Sequence, residues 1–209
     1  MDSGLYKKKH GTIGVRVNPQ VGTGSIVQMS TAGKQSKFGL GLEDLGDTLL
    51  HAIRARPWIT AVHCHVGSQG CPLELIGTGV RRIVDMALQA NKDAGKQQIK
   101  TLNIGGGLPV NFKSEEISPT FNEYAAMLRQ HVPELFSGQF RVFTEFGRSI
   151  AAKAGFFLAR VEYTKISGGK HYATVQAGAD LCVRTVYMYD LHIFAFSDAL
   201  LGPTSGHFA

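Results

Sequence analysis

The stretch Val62-His63-Cys64-His65-Val66-Gly67-Ser68 most constrains what this chain can fold into. Ile59 to Val66 is β-rich, and Gly67-Ser68 breaks the run. Side chains alternate faces along a strand, so His63 and His65 point the same way. Ser68 falls in the turn, where a hydroxyl and free backbone N–H groups meet an anion. Two later stretches end strands in a similar way: Leu102-Asn103-Ile104-Gly105-Gly106-Gly107 and Val142-Phe143-Thr144-Glu145-Phe146-Gly147-Arg148. Three successive strand ends therefore carry glycine, hydroxyl, carboxylate and guanidinium groups. That pattern points to a phosphate-bearing cofactor on the C-terminal rim of a β/α barrel.

The rest of the chain supplies the alternation such a rim needs. Thr12 to Val17 reads as a strand stopped by Asn18-Pro19, and residues 20–42 as a glycine-rich loop. Glu43 to Arg56 reads as a helix, with Leu45, Leu49 and Ile53 at four-residue spacing, acidic residues first and arginines last. After the strand Ile59 to Val66, a helix is expected over Leu73 to Asp93, with Ile76, Val80, Ile83, Val84, Ala87 and Leu88 in one stripe and Gly95 as its cap. The strand Ile99 to Ile104, a helix over Phe121 to Gln130 and the strand Phe140 to Glu145 follow. Strand and helix thus alternate through residues 12–145, which implies parallel strands with right-handed crossovers. Beyond about residue 150 the rhythm changes. Ala154 to Ile166 and His171 to Gln176 read as antiparallel strands joined at Gly168-Gly169.

Composition narrows the class. At 209 residues the chain is shorter than the roughly 250 of a complete (β/α)8 barrel. Net charge is +6, but apart from Lys7-Lys8-Lys9-His10 the basic residues are scattered, which gives no nucleic-acid footprint. Cys64, Cys71 and Cys182 form no CxxC pair and are odd in number, as expected of a reducing, cytoplasmic setting. No apolar run approaches the roughly 20 residues that span a membrane, and the basic first ten residues lead into no signal-peptide core.

With these residues in view, the chain resembles the fold-type III pyridoxal-phosphate decarboxylases, the group of diaminopimelate, ornithine and arginine decarboxylases. The matches are His65-Val66-Gly67-Ser68, Gly105-Gly106-Gly107 and Glu145-Phe146-Gly147-Arg148, in the family's order and near its spacing, with Ser36-Lys37-Phe38-Gly39, Arg184 and Tyr187 in support. The resemblance runs from about residue 12 to about residue 190. It implies an α/β fold, the C-terminal half of a (β/α)8 barrel (strands five to eight) over residues 1–150. The start of an all-β domain would occupy residues 151–209. It also implies that the family's Schiff-base lysine, at the end of the first strand, has no counterpart here, so that the chain is a fragment inactive by itself. Four strands of an opened barrel leave two unpaired edges, hence poor solubility or dimerisation.

The resemblance also assigns roles. The cofactor is pyridoxal 5'-phosphate. Its phosphate would lie against Ser68, Gly105, Gly106, Gly107, Gly147 and Arg148, its ring against His65, and its pyridine nitrogen against Glu145. Arg148, Arg184 and Tyr187 would hold a carboxylate of a small, basic or diamino-acid substrate resembling diaminopimelate. A homodimer is implied, with neither nucleic acid nor membrane as partner. The family's proline is Phe146 here, which should loosen the turn that places Arg148; the proline after the substrate arginine is Thr185. Lys37 is the nearest candidate for a replacement lysine, in the wrong loop. His63 has no family support and reads as structural.

Three other readings compete. A non-catalytic homologue would keep the barrel and lose the lysine chemistry. A racemase on the same barrel shares its motifs. A metal-dependent hydrolase would use His63-x-His65, but zinc needs further ligands and the later strand ends offer one carboxylate, Glu145.

Overall fold

The computed structural model describes residues 11–21, 32–68, 70–112, 114, 116–155, 158–178 and 180–181. It also describes the backbone of two short strands at 196–198 and 202–204. Strand β1 (Ile13–Asn18) is followed by the two-residue β2 (Leu40–Gly41) and helix α1 (Leu42–Arg54). Then come β3 (Ile59–His63), α2 (Leu73–Asp93), β4 (Thr101–Asn103), α3 (Phe121–His131), a 3-10 turn at Pro133–Phe136, β5 (Arg141–Phe143) and the short α4 (Arg148–Ala151). The first five strands make one sheet in the order β2-β1-β3-β4-β5, every pair parallel.

Apart from β2 at the edge, spatial order equals chain order. Right-handed crossovers then put every connecting helix on the same face, as in a β/α barrel and unlike a doubly wound sheet. Accordingly α1 packs on α2, and α2 on α3. The helix-facing row is apolar: Val15, Val62, Leu102 and Val142 are register partners across four strands. Val62 and Leu102 are fully buried under the α2 stripe of Ile76, Val80, Ile83, Val84 and Ala87. The neighbouring row, Arg16, His63, Asn103 and Phe143, lies on the opposite face, and none of its members is buried.

All four main strands are shorter at their C-terminal ends than the apolar runs predict or end within a residue of them. The reason is that Cys64–Val66, Ile104 and Thr144–Glu145 peel away into the rim loops while keeping cross-strand bonds. Cys64 N–H donates to the Asn103 carbonyl (2.9 Å), Ile104 to Phe143 (3.0 Å) and Glu145 to Gly105 (2.7 Å). The α1 boundary shows another tertiary device. Its N-cap, Gly41, has no side chain to offer, so Gln20 Oε1 accepts from the Glu43 N–H at 2.7 Å instead. Helix α3 caps itself: Thr120 Oγ1 accepts from Glu123 N–H while the Glu123 carboxylate accepts from Thr120 N–H.

Two compact units emerge, one from residues 11–110 and 117–152, the other from 111–116 and 153–204. The second unit contains the antiparallel hairpin β6 (Val161–Ser167) and β7 (Lys170–Val175), turned at Gly168-Gly169, and the antiparallel pair β8 (Phe196–Asp198) and β9 (Gly202–Thr204). Within it Lys153 Nζ donates to the Glu116 carbonyl at 2.8 Å. Among the described residues no helix is long and apolar enough to cross a membrane.

One buried amide joins the end of α1 to β3. Gln98 Nε2 reaches the carbonyls of Ile53 (2.9 Å), Arg56 (3.2 Å) and Ile59 (3.2 Å). Replacing it with leucine removes that shared donor and leaves Ile53 and Arg56 only their backbone donors, the N–H groups of Arg56 and Ile59. Gln98→Leu is expected to lower stability by about 1 kcal/mol, the net contribution of a typical intramolecular hydrogen bond. Urea denaturation should show a lower midpoint at an unchanged slope; an unchanged midpoint would refute the role.

Candidate active site

The β3, β4 and β5 ends bring three groups of different chemistry to one place. Glu145 Oε1 lies 3.6 Å from His63 Nε2, and Glu145 Oε2 lies 3.9 Å from His65 Nδ1. Asn103 Nδ2 donates to Oε1 at 2.7 Å. His63 and Asn103 are register partners on adjacent strands, which explains why both reach the same carboxylate. His63, expected to be merely structural, therefore stands beside the carboxylate, and Asn103 was missed. The available signal was the alternation itself, which puts Asn103 on the face opposite buried Leu102.

Burial pushes His63 below the usual imidazole value; Glu145 pulls it back up, while Arg16 and His65 push it further down. For His65 burial again leads, Arg16 adds to it, and Glu145 and the Gly67 carbonyl oppose. Both rings are therefore neutral near pH 7. Burial pushes the Cys64 thiol up to about 12 and the Cys71 thiol to about 11, so neither serves as a nucleophile.

The glycine run is dictated by its neighbours. Gly105 and Gly107 have φ of +70° and +92°, which side chains disfavour. A Cβ on Gly106 would strike the Glu145 carbonyl, and one on Gly107 the Val66 carbonyl. Two of the three N–H groups are engaged within the rim: Gly105 donates to Asn103 Oδ1 (3.0 Å) and Gly106 to His65 Nδ1 (3.3 Å). Among the described residues no hydrogen bond engages the N–H groups of Gly107 or Gly147.

A cavity of about 230 Å³ opens beside the carboxylate, lined by His65, Ser68, Gly107, Leu108, Glu145, Phe146, Gly147, Arg148 and Ser149. Phe146 is anchored by neighbouring aromatic rings. Its ring packs edge-on against Phe121 and Tyr124, with centroids 5.1 and 5.3 Å away, so aromatic packing on α3 pins the turn in place of proline rigidity. Gly105 and Gly106, though absent from the cavity wall, set the position of Gly107. Lys37 lies over the Phe38 ring, at 5.3 Å, and among the described residues no lysine lines the cavity. Arg184, Tyr187 and Cys182 fall outside the described residues.

Residues 5–152 match the family model described as pyridoxal-dependent decarboxylase, pyridoxal binding domain. The chain belongs to this family. Among curated relatives, the diaminopimelate decarboxylase of Pseudomonas aeruginosa is 32% identical over 174 residues, 82% of this chain and 40% of that protein. That of Aquifex aeolicus is 29% identical over 187 residues, 88% of this chain and 43% of the relative. Among solved structures, Helicobacter pylori diaminopimelate decarboxylase complexed with L-lysine superposes with a TM-score of 0.70 at 26% identity, over 88% of this chain and 45% of that one. The Methanocaldococcus jannaschii enzyme in co-complex with L-lysine gives 0.73 at 26%, over 90% and 44%. The chain thus spans under half the length of the relatives it matches, and its parallel sheet is part of a β/α barrel.

The family's cofactor is pyridoxal phosphate, and the groups that line the cavity fit it. Hydroxyls of Ser68 and Ser149, the Arg148 guanidinium and the Gly107 and Gly147 N–H groups form a donor set suited to a phosphate. The imidazole of His65 and the carboxylate of Glu145 suit an aromatic ring bearing a protonated nitrogen.

The depressed imidazoles have a measurable consequence. Below the ordinary value of 6.5 the unfolded chain binds more protons at His63 and His65 than the folded one. Stability should therefore fall as the pH drops through that window and be indifferent to these groups above it. Denaturation midpoints at about pH 7.5 and about pH 5.5 should diverge less in a His63→Gln, His65→Gln variant than in the wild type. An equal divergence would disprove the assignment.

Proposed function

We propose that this chain forms the cofactor-holding half-barrel of a pyridoxal-phosphate-dependent decarboxylase acting on a diamino acid similar to diaminopimelate. The observation that carries the reading is that Glu145 and His65, side by side, line one cavity together with Ser68, Gly107, Gly147 and Arg148. The solved relatives with L-lysine bound support a small amino acid as the substrate class.

In this reading Ser68, Arg148 and the N–H groups of Gly107 and Gly147 bind the phosphate, and Gly105 and Gly106 hold that loop against its neighbours. His65 packs along the pyridine ring. Glu145 holds a proton on the ring nitrogen. When bound, pyridoxal phosphate supplies the sink for the electron pair left as the substrate loses carbon dioxide. Arg148, with Arg184 and Tyr187, is assigned to the substrate's carboxylates, and the intact enzyme to a homodimer.

A divalent cation is the second reading, because ligand atoms of His63, His65 and Glu145 lie within 4.8 Å of one another. Two of those residues already have a ligand atom engaged: His65 Nδ1 accepts from Gly106 N–H and Glu145 Oε1 from Asn103. The cofactor reading is therefore preferred.

Titration of the purified chain with pyridoxal phosphate, followed by absorbance, tests the site. Ser68→Ala should weaken affinity about 10–100-fold, since a hydrogen bond to a charged acceptor contributes roughly 1.5–3 kcal/mol. Unchanged affinity would remove the phosphate assignment. Because no lysine among the described residues lines the cavity, borohydride treatment of the loaded chain should leave no stoichiometric adduct at a single lysine. A stoichiometric adduct on Lys37, accompanied by carbon dioxide release from an amino acid, would show that the chain is active by itself.

A further inference from the structure

We propose that His63 and Asn103 are positioning residues that clamp Glu145 Oε1 between them, so that Oε2 is the oxygen presented to the cofactor's ring nitrogen. The inference rests on the cofactor reading above and assigns groups which that reading leaves idle.

The Asn103 amide is fixed at both ends. Its oxygen accepts from Gly105 N–H at 3.0 Å, so its NH2 must face Glu145, where it donates to Oε1 at 2.7 Å. Only this orientation satisfies both bonds. His63 meets the same oxygen from the adjacent strand. Its Nε2 is buried without a hydrogen-bond partner and stands 3.6 Å from Oε1. A buried donor left unpaired is costly, and the gap exceeds a good hydrogen bond by only about half an ångström. Glu145 is half exposed and can take up that movement.

The groups facing His63 favour a single neutral donor. Arg16 is its register partner on β1, and His65 follows on its own chain segment. Both disfavour a second proton on its ring, as burial does, and Glu145 alone favours one. A neutral His63 with its proton on Nε2 donates to Oε1 without carrying charge. Oε2 is then left on the His65 side, with His65 Nδ1 at 3.9 Å. Since Gly106 N–H already donates to that Nδ1, His65 does not compete for the carboxylate.

The test loads the purified full chain with pyridoxal phosphate labelled with 15N in the ring and follows the ring-nitrogen signal with pH. Glu145→Gln should lose the protonated-nitrogen signature altogether. His63→Ala and Asn103→Ala should each keep it but release the proton about one pH unit lower, a tenfold weakening. His63→Gln, whose amide N–H reaches the place of Nε2, should restore the wild-type value. A shift in Glu145→Gln with none in either alanine variant would overturn the clamp and leave the site reading standing. No shift even in Glu145→Gln would overturn the reading of the site itself. Should the alanine variants fail to fold, 15N-histidine spectra of the wild-type chain decide. The clamp requires the Nε2–H tautomer of His63 and a change in its signal in Glu145→Gln; the Nδ1–H tautomer would refute it.

Discussion

No side chain fits at Gly105, Gly106 or Gly107, and the rim depends on that closeness. A Cβ at the first would meet the Cys64–His65 backbone, at the second the Glu145 carbonyl, and at the third the Val66 carbonyl. The glycine run touches the strand end on either side. It is fastened there by Gly106 N–H on His65 and by Glu145 N–H on the Gly105 carbonyl. Three strand ends thus behave as one piece, and movement of any one would displace His65 and Glu145 together.

The two faces of the sheet divide the labour behind that rim. Val62, Leu102 and Ile104 are sealed under the helices and carry the packing energy. The opposite row, Arg16, His63, Asn103 and Phe143, buries nothing fully and is left for chemistry. Phe146 shows how the scaffold absorbs a departure from the family pattern. Without a proline the turn has lost backbone rigidity, but its ring is wedged against Phe121 and Tyr124, so Gly147 and Arg148 are still held beside the cavity.

The cavity wall carries two kinds of group. Hydroxyl, N–H and guanidinium groups come from Ser68, Ser149, Gly107, Gly147 and Arg148, and a carboxylate and an imidazole from Glu145 and His65. Pyridoxal phosphate, the cofactor of the family to which the chain belongs, carries a phosphate and an aromatic nitrogen that such groups suit. Both kinds of group come from a stretch of chain that spans less than half of its relatives.

By itself the sequence determined the alternation of strand and helix, the parallel sheet, the α2 stripe and the three loops on one rim. These follow from local periodicity and from glycine and proline placement, which act over a few residues. Only the tertiary structure decided how long each strand remains in the ladder, because peeling into the rim depends on neighbouring loops. It alone showed Gln20 capping α1 across more than twenty positions of sequence. It also showed Phe146 finding its partners on α3 and His63 and Asn103 converging on one oxygen of Glu145. The last case is the most instructive. Alternation along each strand places both side chains on the correct face, but their meeting at Glu145 depends on inter-strand register, which is set by packing across the sheet and leaves no mark in either strand.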